Sequence, residues 1–268
     1  MSLARATAGA TIFGLPLLMT MEMWFLGVAI QPIRLLSFLF VNFVILVGLS
    51  RFGGFERTET LAEDVLDAFA ACAVGTLISA LVLWLFGLVA AGMPLDEIAG
   101  KIAIQSVPCS FGAMIARKQL SGAGEEAEEK EDEEALRGAG YGAQLFLMAA
   151  GALFLSFNLS PTEEMALIGY MMTPERLLVL MALSIALLHA LVYLLGLAGQ
   201  EEHAEGAGFV RTFMTFTIPG YALALLLGLY VLWTFGRVDG TGLDQSAATM
   251  VVIAFPGALG AAIARLVV

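Results

Sequence analysis

One pattern occurs twice in the chain, and it constrains the fold more than any other feature. The first copy covers residues 95–117 and the second covers residues 243–265. Both follow the frame L-D-x-x-A-x8-P-x3-G-A-x-I-A-R without a gap, so each residue of the first copy lies 148 positions before its counterpart. A proline in the middle of an apolar run, repeated at one fixed offset, indicates internal duplication. The chain is therefore predicted to consist of two related halves.

The composition predicts a protein that crosses a membrane several times. Of the 268 residues, 59% are hydrophobic and 14% are charged, and the mean hydropathy is +0.88. A helix needs about 20 apolar residues to cross a bilayer, and runs of this length recur along the whole chain. The first run lacks a small-residue cleavage site and is followed at once by another, so we do not expect a cleaved signal peptide.

We predict an all-α, polytopic membrane helix bundle with eight spans, four in each half. The predicted spans cover roughly residues 8–29, 32–50, 65–90 and 96–118, then 141–158, 173 onward, 209–236 and 244 to the C-terminus. Ser160, followed by Pro161, predicts the start of a short helix that ends near Met171. That helix is too brief to cross, so we expect it at the membrane interface. The sequence around Pro174 repeats the sequence around Pro32 at an offset of 142.

An acidic linker, residues 119–140, is predicted to join the first repeat, residues 1–118, to the second, residues 141–268. Eight of the 24 acidic residues lie between Glu125 and Glu134, so the formal net charge of −11 is concentrated locally. A charge run of this kind is either a solvated connector or a loop that binds a cytoplasmic protein.

The lysines and arginines orient the spans. If the N-terminus is cytoplasmic, nine of these 13 residues lie on the cytoplasmic side and four on the other, as the positive-inside rule requires. We therefore predict a multi-pass protein of the cell inner membrane with both termini and the linker in the cytoplasm. Because each half has an even number of spans, the halves insert in the same direction, as parallel repeats do.

The sequence argues against several classes of function. Nucleophile–base pairs, zinc ligand sets and phosphate-binding loops are missing, so we expect neither an enzyme nor a bound cofactor, and no metal ligand set can be named. Cys72 and Cys109 lie inside apolar segments and are predicted to be free thiols. With no basic patch, nucleic-acid binding is not expected. The expected partners are the lipid bilayer, a small ion and a second copy of the chain, which would pack through Gly/Ala-rich helix faces.

Glu22 is the sharpest single feature, because it is a charged residue within the first predicted span. A charge at that depth costs roughly 2.5–3.5 kcal/mol and should face the protein interior or water. The carboxylate could coordinate an ion or carry a proton, or it could join two helices through a hydrogen bond while neutral. The matching stretch of the fifth span, residues 153–158, has no acid, so we expect the role of Glu22 to be confined to the first half.

Four further polar residues are candidate partners along a path. Gln105 is predicted to reach a depth similar to that of Glu22, and Lys101 lies one turn shallower, so its long stem could bring its ammonium to the Glu22 carboxylate. Asn42 is near the middle of the second span. His189 is a rare polar residue in the sixth span, and it could relay protons or hydrogen-bond a neighbouring helix.

Prolines inside predicted spans mark where backbone hydrogen bonds are lost. Pro108 and Pro256 occupy equivalent places in the two repeats, and Pro219 lies within the seventh span. Interrupted helices at matching places in two halves often flank a transport site. A kink can equally serve close packing, since Gly112 and Gly260 follow the two prolines and allow helices to approach.

Two stretches resemble a bacterial family of integral membrane proteins that is catalogued as a domain of unknown function. They are P-L-L-M-T-M-E-M-W at residues 16–24 and V-P-C-S-F-G-A at residues 107–113. The resemblance covers nearly the whole chain and implies a bacterial inner-membrane protein. It implies no particular activity.

Two functions follow from these observations. The first is a channel or secondary transporter for a small ion, a cation or a proton, with Glu22 as the coordinating group and the proline-containing helices beside the path. The second is a membrane sensor or assembly partner that transports nothing and acts through its acidic loop. A connected polar route through the membrane distinguishes the first from the second.

The predicted topology can be tested by labelling single cysteines from outside intact cells. A cysteine at Ala127 should not react with a membrane-impermeant reagent, because the linker is predicted to be cytoplasmic. Cysteines at Thr162 and Gly240 should react. The reverse pattern would contradict the eight-span arrangement.

Overall fold

Every regular element in the described part of the chain is a helix. The computed structural model describes residues 2–53, 60–119, 140–198 and 208–267, and within them the predicted all-α fold is confirmed. Seven helices are long and apolar enough to cross a membrane, and there are eight such spans if a bent pair near the N-terminus counts as one. The acidic stretch 125–134 lies outside the described residues.

The chain forms two compact units, Met1–Asp132 and Glu133–Val268. The helices of unit 1 are α1 (Ser2–Leu18), α2 (Met21–Ala29), α3 (Pro32–Gly53), α4 (Leu61–Leu85) and α5 (Leu95–Gln119). Those of unit 2 are α6 (Tyr141–Leu159), α7 (Glu163–Met171), α8 (Pro174–Ala198), α9 (Phe209–Thr234) and α10 (Leu243–Val267). Within α9, the segment Phe213–Thr217 is π-helical.

Helix boundaries in the two units match the sequence offsets. The first and last residues of α7 lie 142 positions after those of α2, and those of α10 lie 148 positions after those of α5. The helix α8 begins 142 positions after α3, at the proline that the two share. Duplication remains an inference, but the two units have the same order of helices and nearly the same lengths.

In each unit, the helix that carries the repeated pattern lies at the centre. We call α5 and α10 the hub helices, because the other helices of each unit pack around them. In α5, 72% of the most apolar stretch is buried inside the protein, and in α10 the share is 61%. In each of the other spans at most 39% of that stretch is buried. The hub helices therefore face protein, and the surrounding helices are left to face lipid.

Glycine brings the first helix of each unit into backbone contact with its hub. A Cβ atom built on Gly9 of α1 would overlap the Gly112 carbonyl oxygen of α5, and a Cβ on Gly112 would overlap the carbonyl of Gly9. Gly151 of α6 and Gly260 of α10 make the same reciprocal contact in unit 2. Small residues at helix interfaces in membranes allow this approach, which gains dispersion energy along both backbones.

The first predicted span, residues 8–29, is not one helix. The helix α1 ends at Leu18, α2 begins at Met21, and their axes differ by 88°. Thr20 is extended, with φ −99° and ψ 131°, and its hydroxyl donates to the Leu17 carbonyl at 2.8 Å. The Trp24 indole N–H donates to the Leu18 carbonyl at 2.8 Å. These two bonds satisfy carbonyls that the end of α1 would otherwise expose.

Unit 2 has a matching break, two residues after the position that we predicted. Thr162 is extended, and its hydroxyl donates to the Leu159 carbonyl at 2.9 Å, as Thr20 does to Leu17. The short helix begins at Glu163, so the prediction of Ser160 as its N-cap is wrong. Ser160 instead closes the preceding helix, and its N–H donates to the Ser156 carbonyl.

The hub helices continue through their prolines. Both α5 and α10 are helical across Pro108 and Pro256, so the predicted interruptions lie elsewhere, at the two threonine breaks. Pro219 lies two residues after the end of the π-helical segment of α9. Since proline has no N–H, the carbonyl of Thr215 four residues earlier lacks a helical donor. The Tyr141 hydroxyl donates to that carbonyl at 2.9 Å.

Valine at Gly9 should disrupt unit 1 because the new side chain would meet the backbone of α5. Overpacking commonly costs roughly 1–3 kcal/mol, and a rigid backbone obstacle places Gly9→Val at or beyond the upper end. The measurement is the thermal unfolding midpoint of the purified protein in detergent. Gly151→Val should have the same effect in unit 2.

Gly142→Val is the matched control, since a Cβ at Gly142 meets no atom within 4 Å. Its unfolding midpoint should stay at the wild-type value. If all three variants unfold alike, the backbone contacts of Gly9 and Gly151 do not hold the units together.

Candidate functional site

A cluster of buried polar groups surrounds Pro108 on the hub helix of unit 1. We call it the Pro108 belt and define it by Asn42, Gln105 and Ser110 with the backbone of residues 103–107. The three side chains are at most 3% exposed. Two of the predicted site residues, Asn42 and Gln105, thus lie at the hub on either side of the predicted proline in sequence, Gln105 on the hub itself and Asn42 against Ser110.

Gln105 connects the hub to α1. Its amide nitrogen donates to the Gly14 carbonyl at 2.7 Å and lies 3.7 Å from the Cys109 sulfur. Its amide oxygen is buried and has no hydrogen-bond partner. Since an amide oxygen in place of the nitrogen would repel the Gly14 carbonyl, this orientation of the amide is fixed by its neighbour.

Asn42 connects the hub to α3. Its amide nitrogen donates to the Ser110 hydroxyl oxygen at 3.1 Å, while the Ser110 hydroxyl donates to the Val107 carbonyl at 2.8 Å. In this arrangement Ser110 accepts from Asn42, and the Asn42 oxygen points away. That oxygen is also buried without a partner.

Pro108 adds a backbone acceptor to the belt. It has no N–H to donate to the carbonyl of Ile104, four residues earlier. The nearby Ser106 hydroxyl does not replace that donor, because it donates to the Ala103 carbonyl at 2.7 Å. The belt therefore contains more hydrogen-bond acceptors than donors, in a place where each unsatisfied acceptor costs about 1–3 kcal/mol.

The hub of unit 2 lacks these groups. At the positions that match Gln105 and Ser110, α10 has Ile253 and Ala258, both fully buried. Ser184 of α8 takes the place of Asn42, and its hydroxyl donates to the Leu180 carbonyl of its own helix at 2.7 Å. The two units share a scaffold but differ in the polar groups around the hub, since in unit 2 the unpaired oxygen that lies against the hub is the Ser156 hydroxyl, beside Gly257.

Glu22 is the second residue of α2, immediately after the break. It is half-buried, and its carboxylate has no hydrogen bond or ion pair with any described residue. Glu164 holds the same place in α7 and is exposed, so residues 153–158 were the wrong stretch to compare with Glu22, and the confinement of its role to the first half stays a prediction. The pattern T-x-E-M begins at Thr20 and returns at Thr162. The offset of 142 that relates Pro32 to Pro174 would have revealed it.

Lys101 pairs with Glu97 and not with Glu22. Its ammonium lies 2.6 Å from a Glu97 carboxylate oxygen and donates to the Leu88 carbonyl at 3.1 Å. A Cβ on Gly27 of α2 would lie 2.6 Å from the Lys101 Cγ, so α2 crosses the hub at this residue. Residue numbering predicts the depth of Lys101 but not the direction of its side chain, and the i, i+4 spacing from Glu97 allows the two to pair.

His189 lies in unit 2 and hydrogen-bonds a neighbouring helix, as one of its two predicted roles requires. Its Nδ1 is 2.8 Å from the Thr217 hydroxyl, and its ring centroid is 4.3 Å from that of Phe209 and 5.2 Å from that of Phe213. Its Nε2 is buried without a partner. The histidine is therefore packed among aromatic rings beside the π-helical segment.

Two buried carboxylates near the start of α4 were missed from the sequence. The Ser50 hydroxyl donates to Asp67 at 2.8 Å, and an Arg51 nitrogen lies 3.7 Å from Asp64. Our predicted third span began at residue 65. The helix begins at Leu61 because Thr60 and Glu63 form a capping box, and that four-residue pattern was the available signal.

The groups in the described residues that could hold a ligand are oxygen atoms. No group of three or more His, Cys, Asp or Glu side chains within them could hold a metal ion. The belt instead offers two amide oxygens and a backbone carbonyl, which suit hydrogen-bond donors or hard cations.

Comparison with known proteins identified one family. A family model described as "Putative integral membrane protein (DUF2391)" matches residues 2–268. No curated protein and no solved structure matches the chain.

Lys101→Met should destabilise unit 1, because it leaves the largely buried Glu97 carboxylate without its partner. Breaking a fully buried pair costs about 3–5 kcal/mol, and since Glu97 is 23% exposed, roughly 1–3 kcal/mol is expected after screening. Adding Glu97→Gln should restore much of the loss in a thermal unfolding experiment.

A double-mutant cycle that combines Lys101→Met with Glu22→Gln tests whether Lys101 also interacts with Glu22. Its effect should add to that of Lys101→Met, since residues that do not interact behave independently. Strong coupling between Lys101 and Glu22, with none between Lys101 and Glu97, would show that the ammonium pairs as the sequence first suggested.

Proposed function

The chain belongs to this family of integral membrane proteins, and we propose that it moves a small cation across the membrane, as a channel or a secondary transporter. The Pro108 belt carries the proposal. Polar groups inside a membrane protein are costly and are normally paired. Two side-chain oxygens at full burial without a donor are best explained by a ligand that supplies positive charge.

The position of the belt supports a path along the hub of unit 1. The helix α2, with Glu22 at its start, crosses α5 at Gly100 and Lys101. Gln105 and Ser110 follow at about 7 Å and 15 Å further along the helix, at 1.5 Å per residue. On α4, Gly75 contacts Ser110, and Asp67 lies eight residues, or about 12 Å, beyond that contact. Polar groups thus occur at successive levels from one end of the hub to the other.

Glu22 is proposed to attract cations to one end of this path. It is half-buried and has no partner among the described residues, so its negative charge is available to an approaching ion. Its place at the start of a helix also suits the helix dipole, which favours an acid there. Glu164 has that structural advantage too, but the hub of unit 2 has Ile253 and Ala258 where that of unit 1 has Gln105 and Ser110.

Backbone contacts along the hub favour a transporter over a permanently open pore. The Gly9–Gly112 contact closes α1 against α5 beyond the belt, and the Gly75–Ser110 contact closes α4 against it. An ion could pass these levels only if a helix moved. Rigid-body movement of helices about a fixed binding site is how secondary transporters alternate access.

The rival proposal is a membrane sensor or assembly partner whose acidic loop, residues 125–134, binds a cytoplasmic protein. It needs no polar route and leaves the unpaired oxygens of the belt unexplained. Flux in proteoliposomes distinguishes the two, because a sensor of this kind moves no ion.

Glu22→Gln should reduce cation flux into proteoliposomes by about tenfold, while expression and thermal stability stay near the wild-type values. The substitution keeps the shape of the side chain but removes its charge, which lowers the local cation concentration. Because attraction between charges is screened, the difference from wild type should shrink at high ionic strength.

Glu164→Gln is the matched control, since Glu164 occupies the same helix position in the unit whose hub has Ile253 and Ala258 in place of Gln105 and Ser110. Its flux should equal that of the wild type. Equal loss in both variants would mean that the acids serve helix stability, and absence of flux for every cation and pH tested would favour the sensor.

A further inference from the structure

We propose that α9 is hinged at its π-helical segment, and that Tyr141 and His189 hold the hinge closed. Residues Phe209–Thr217 form the arm that moves, and Ile218–Thr234 form the arm that stays in place. The described conformation is the closed one. The movement lies within unit 2 and does not depend on whether the protein transports an ion.

The moving arm contains one residue more than the matching part of unit 1. The helix α9 begins 148 positions after α4 but ends 149 positions after it. The sequence L-W-x-F-G, at residues 83–87 and 232–236, has the second offset. Five buried residues of α9 also lie 149 positions after buried residues of α4, and they are Thr217, Gly220, Ala224, Gly228 and Leu232. The extra residue therefore lies between Phe209 and Thr217, where the π-helical turn accommodates it.

The extra residue and Pro219 weaken the helix at the same level. The Ile218 N–H donates to the Phe213 carbonyl, five residues earlier, and Pro219 has no N–H to donate. Sharp bends in helices occur at prolines and at π-helical turns, and such turns are frequent at functional sites. The matching helix α4 is α-helical from Leu61 to Leu85 and contains no proline. A bend is therefore expected in α9 and not in α4.

The two arms of α9 pack against different helices. Ile218–Thr234 contacts α6 and the hub helix α10, where Gly228 lies against Ile253. Phe209–Thr217 packs chiefly against α8. A bend at the π-helical turn can thus move the first arm away from α8 and leave the second arm on the hub.

Two side chains from other helices hold the moving arm, and we call them the latch. The Tyr141 hydroxyl of α6 donates to the Thr215 carbonyl at 2.9 Å. The His189 Nδ1 of α8 lies 2.8 Å from the Thr217 hydroxyl. Both bonds end on the moving arm, so both must break when it swings out.

The closed conformation also carries a cost that opening would remove. The rings of Phe209 and Phe213 stand edge-on to the His189 ring, with centroids at 4.3 Å and 5.2 Å. Beneath them, the His189 Nε2 is buried and has no hydrogen-bond partner among the described residues. A buried polar atom without a partner costs free energy, because it has lost its bonds to water. Since α9 begins at Phe209, moving this arm would admit water to the histidine and offset part of the latch energy.

Distances between pairs of spin labels measure the movement directly. One label at Val210 reports the moving arm, and the second, at Leu178, lies on α8. Both positions are exposed, and the native cysteines Cys72 and Cys109 are first replaced by alanine. Besides the distance of the closed form, this pair should show a second distance, which belongs to the open form.

Two further pairs are controls. Leu226 with Leu178 reports the arm that stays in place. Leu61 with Leu36 is the matched pair of unit 1, on α4 and α3, and all these positions are exposed. Each control pair should show one distance.

Tyr141→Phe and Thr217→Val each remove one bond of the latch and keep the shape of the side chain. Each should raise the ratio of open to closed distances for Val210 with Leu178 by about fivefold, as expected for one lost hydrogen bond. Tyr193→Phe is the control, because the Tyr193 ring stacks on His189 at 5.7 Å while its hydroxyl bonds no described residue. Its ratio should equal that of the wild type.

Removing the cause of the bend should have the opposite effect. Deleting Met214, an exposed residue of the π-helical segment, gives α9 the length of α4 and should abolish the second distance. Should this variant fail to fold, Pro219→Ala restores the missing N–H and should lower the ratio of open to closed distances by about fivefold.

Three results would overturn the hinge. In the first, Val210 with Leu178 keeps one distance in Tyr141→Phe and Thr217→Val while their unfolding midpoints fall, as for a rigid turn that the two bonds merely stabilise. In the second, the control pairs broaden as much as Val210 with Leu178, which would show general loosening of the helices. In the third, Pro219→Ala leaves the ratio unchanged or raises it.

Discussion

The backbone contact between each hub helix and the first helix of its unit is the constraint on which the rest of the structure depends. At Gly9–Gly112 and at Gly151–Gly260 no side chain separates the two helices. This approach places the hub inside the unit, away from lipid. Amides and hydroxyls on the hub, or on the face of a neighbouring helix that packs against it, are thereby kept out of lipid, which offers them no hydrogen bonds. Close packing through glycine is thus what permits a polar belt in the interior.

The two units show how one scaffold can hold different interiors. Both have the same helix order, the same threonine break and the same glycine contact, while their polar groups differ. Unit 1 places Gln105 and Asn42 at its hub, and unit 2 places His189 among aromatic rings next to a π-helical segment. At one close contact the glycine lies on a different helix in each unit. Gly14 of α1 meets Cys109 of the hub in unit 1, and at the matching positions of unit 2 Ser156 of α6 meets Gly257 of the hub. One small residue at each contact suffices, on either helix.

The sequence predicted the helical membrane fold and placed Pro108 and Gln105 on a distinctive helix, because hydropathy and a repeated pattern are carried by the chain itself. The break at Thr20 was missed because the residues around it are apolar, and hydropathy does not report backbone dihedral angles. Partners were missed for another reason. Depth along a span follows from residue number, but the direction of a side chain depends on how the helix is rotated, and therefore Lys101 was paired with Glu22 when it binds Glu97. The hydrogen bond from Asn42 to Ser110 was missed for the same reason, because it depends on how α3 packs against α5.

The most direct test of the central claim is an anomalous difference map from crystals grown or soaked with thallium(I), a monovalent cation that scatters strongly. The account predicts a peak in the Pro108 belt of wild-type protein, next to the amide oxygen of Gln105 or that of Asn42, and loss of that peak when the oxygen beside it is removed, in Gln105→Met or Asn42→Leu. A peak at the Glu22 carboxylate alone, or at Asp64 and Asp67 alone, would contradict it, and so would a map with no peak inside unit 1.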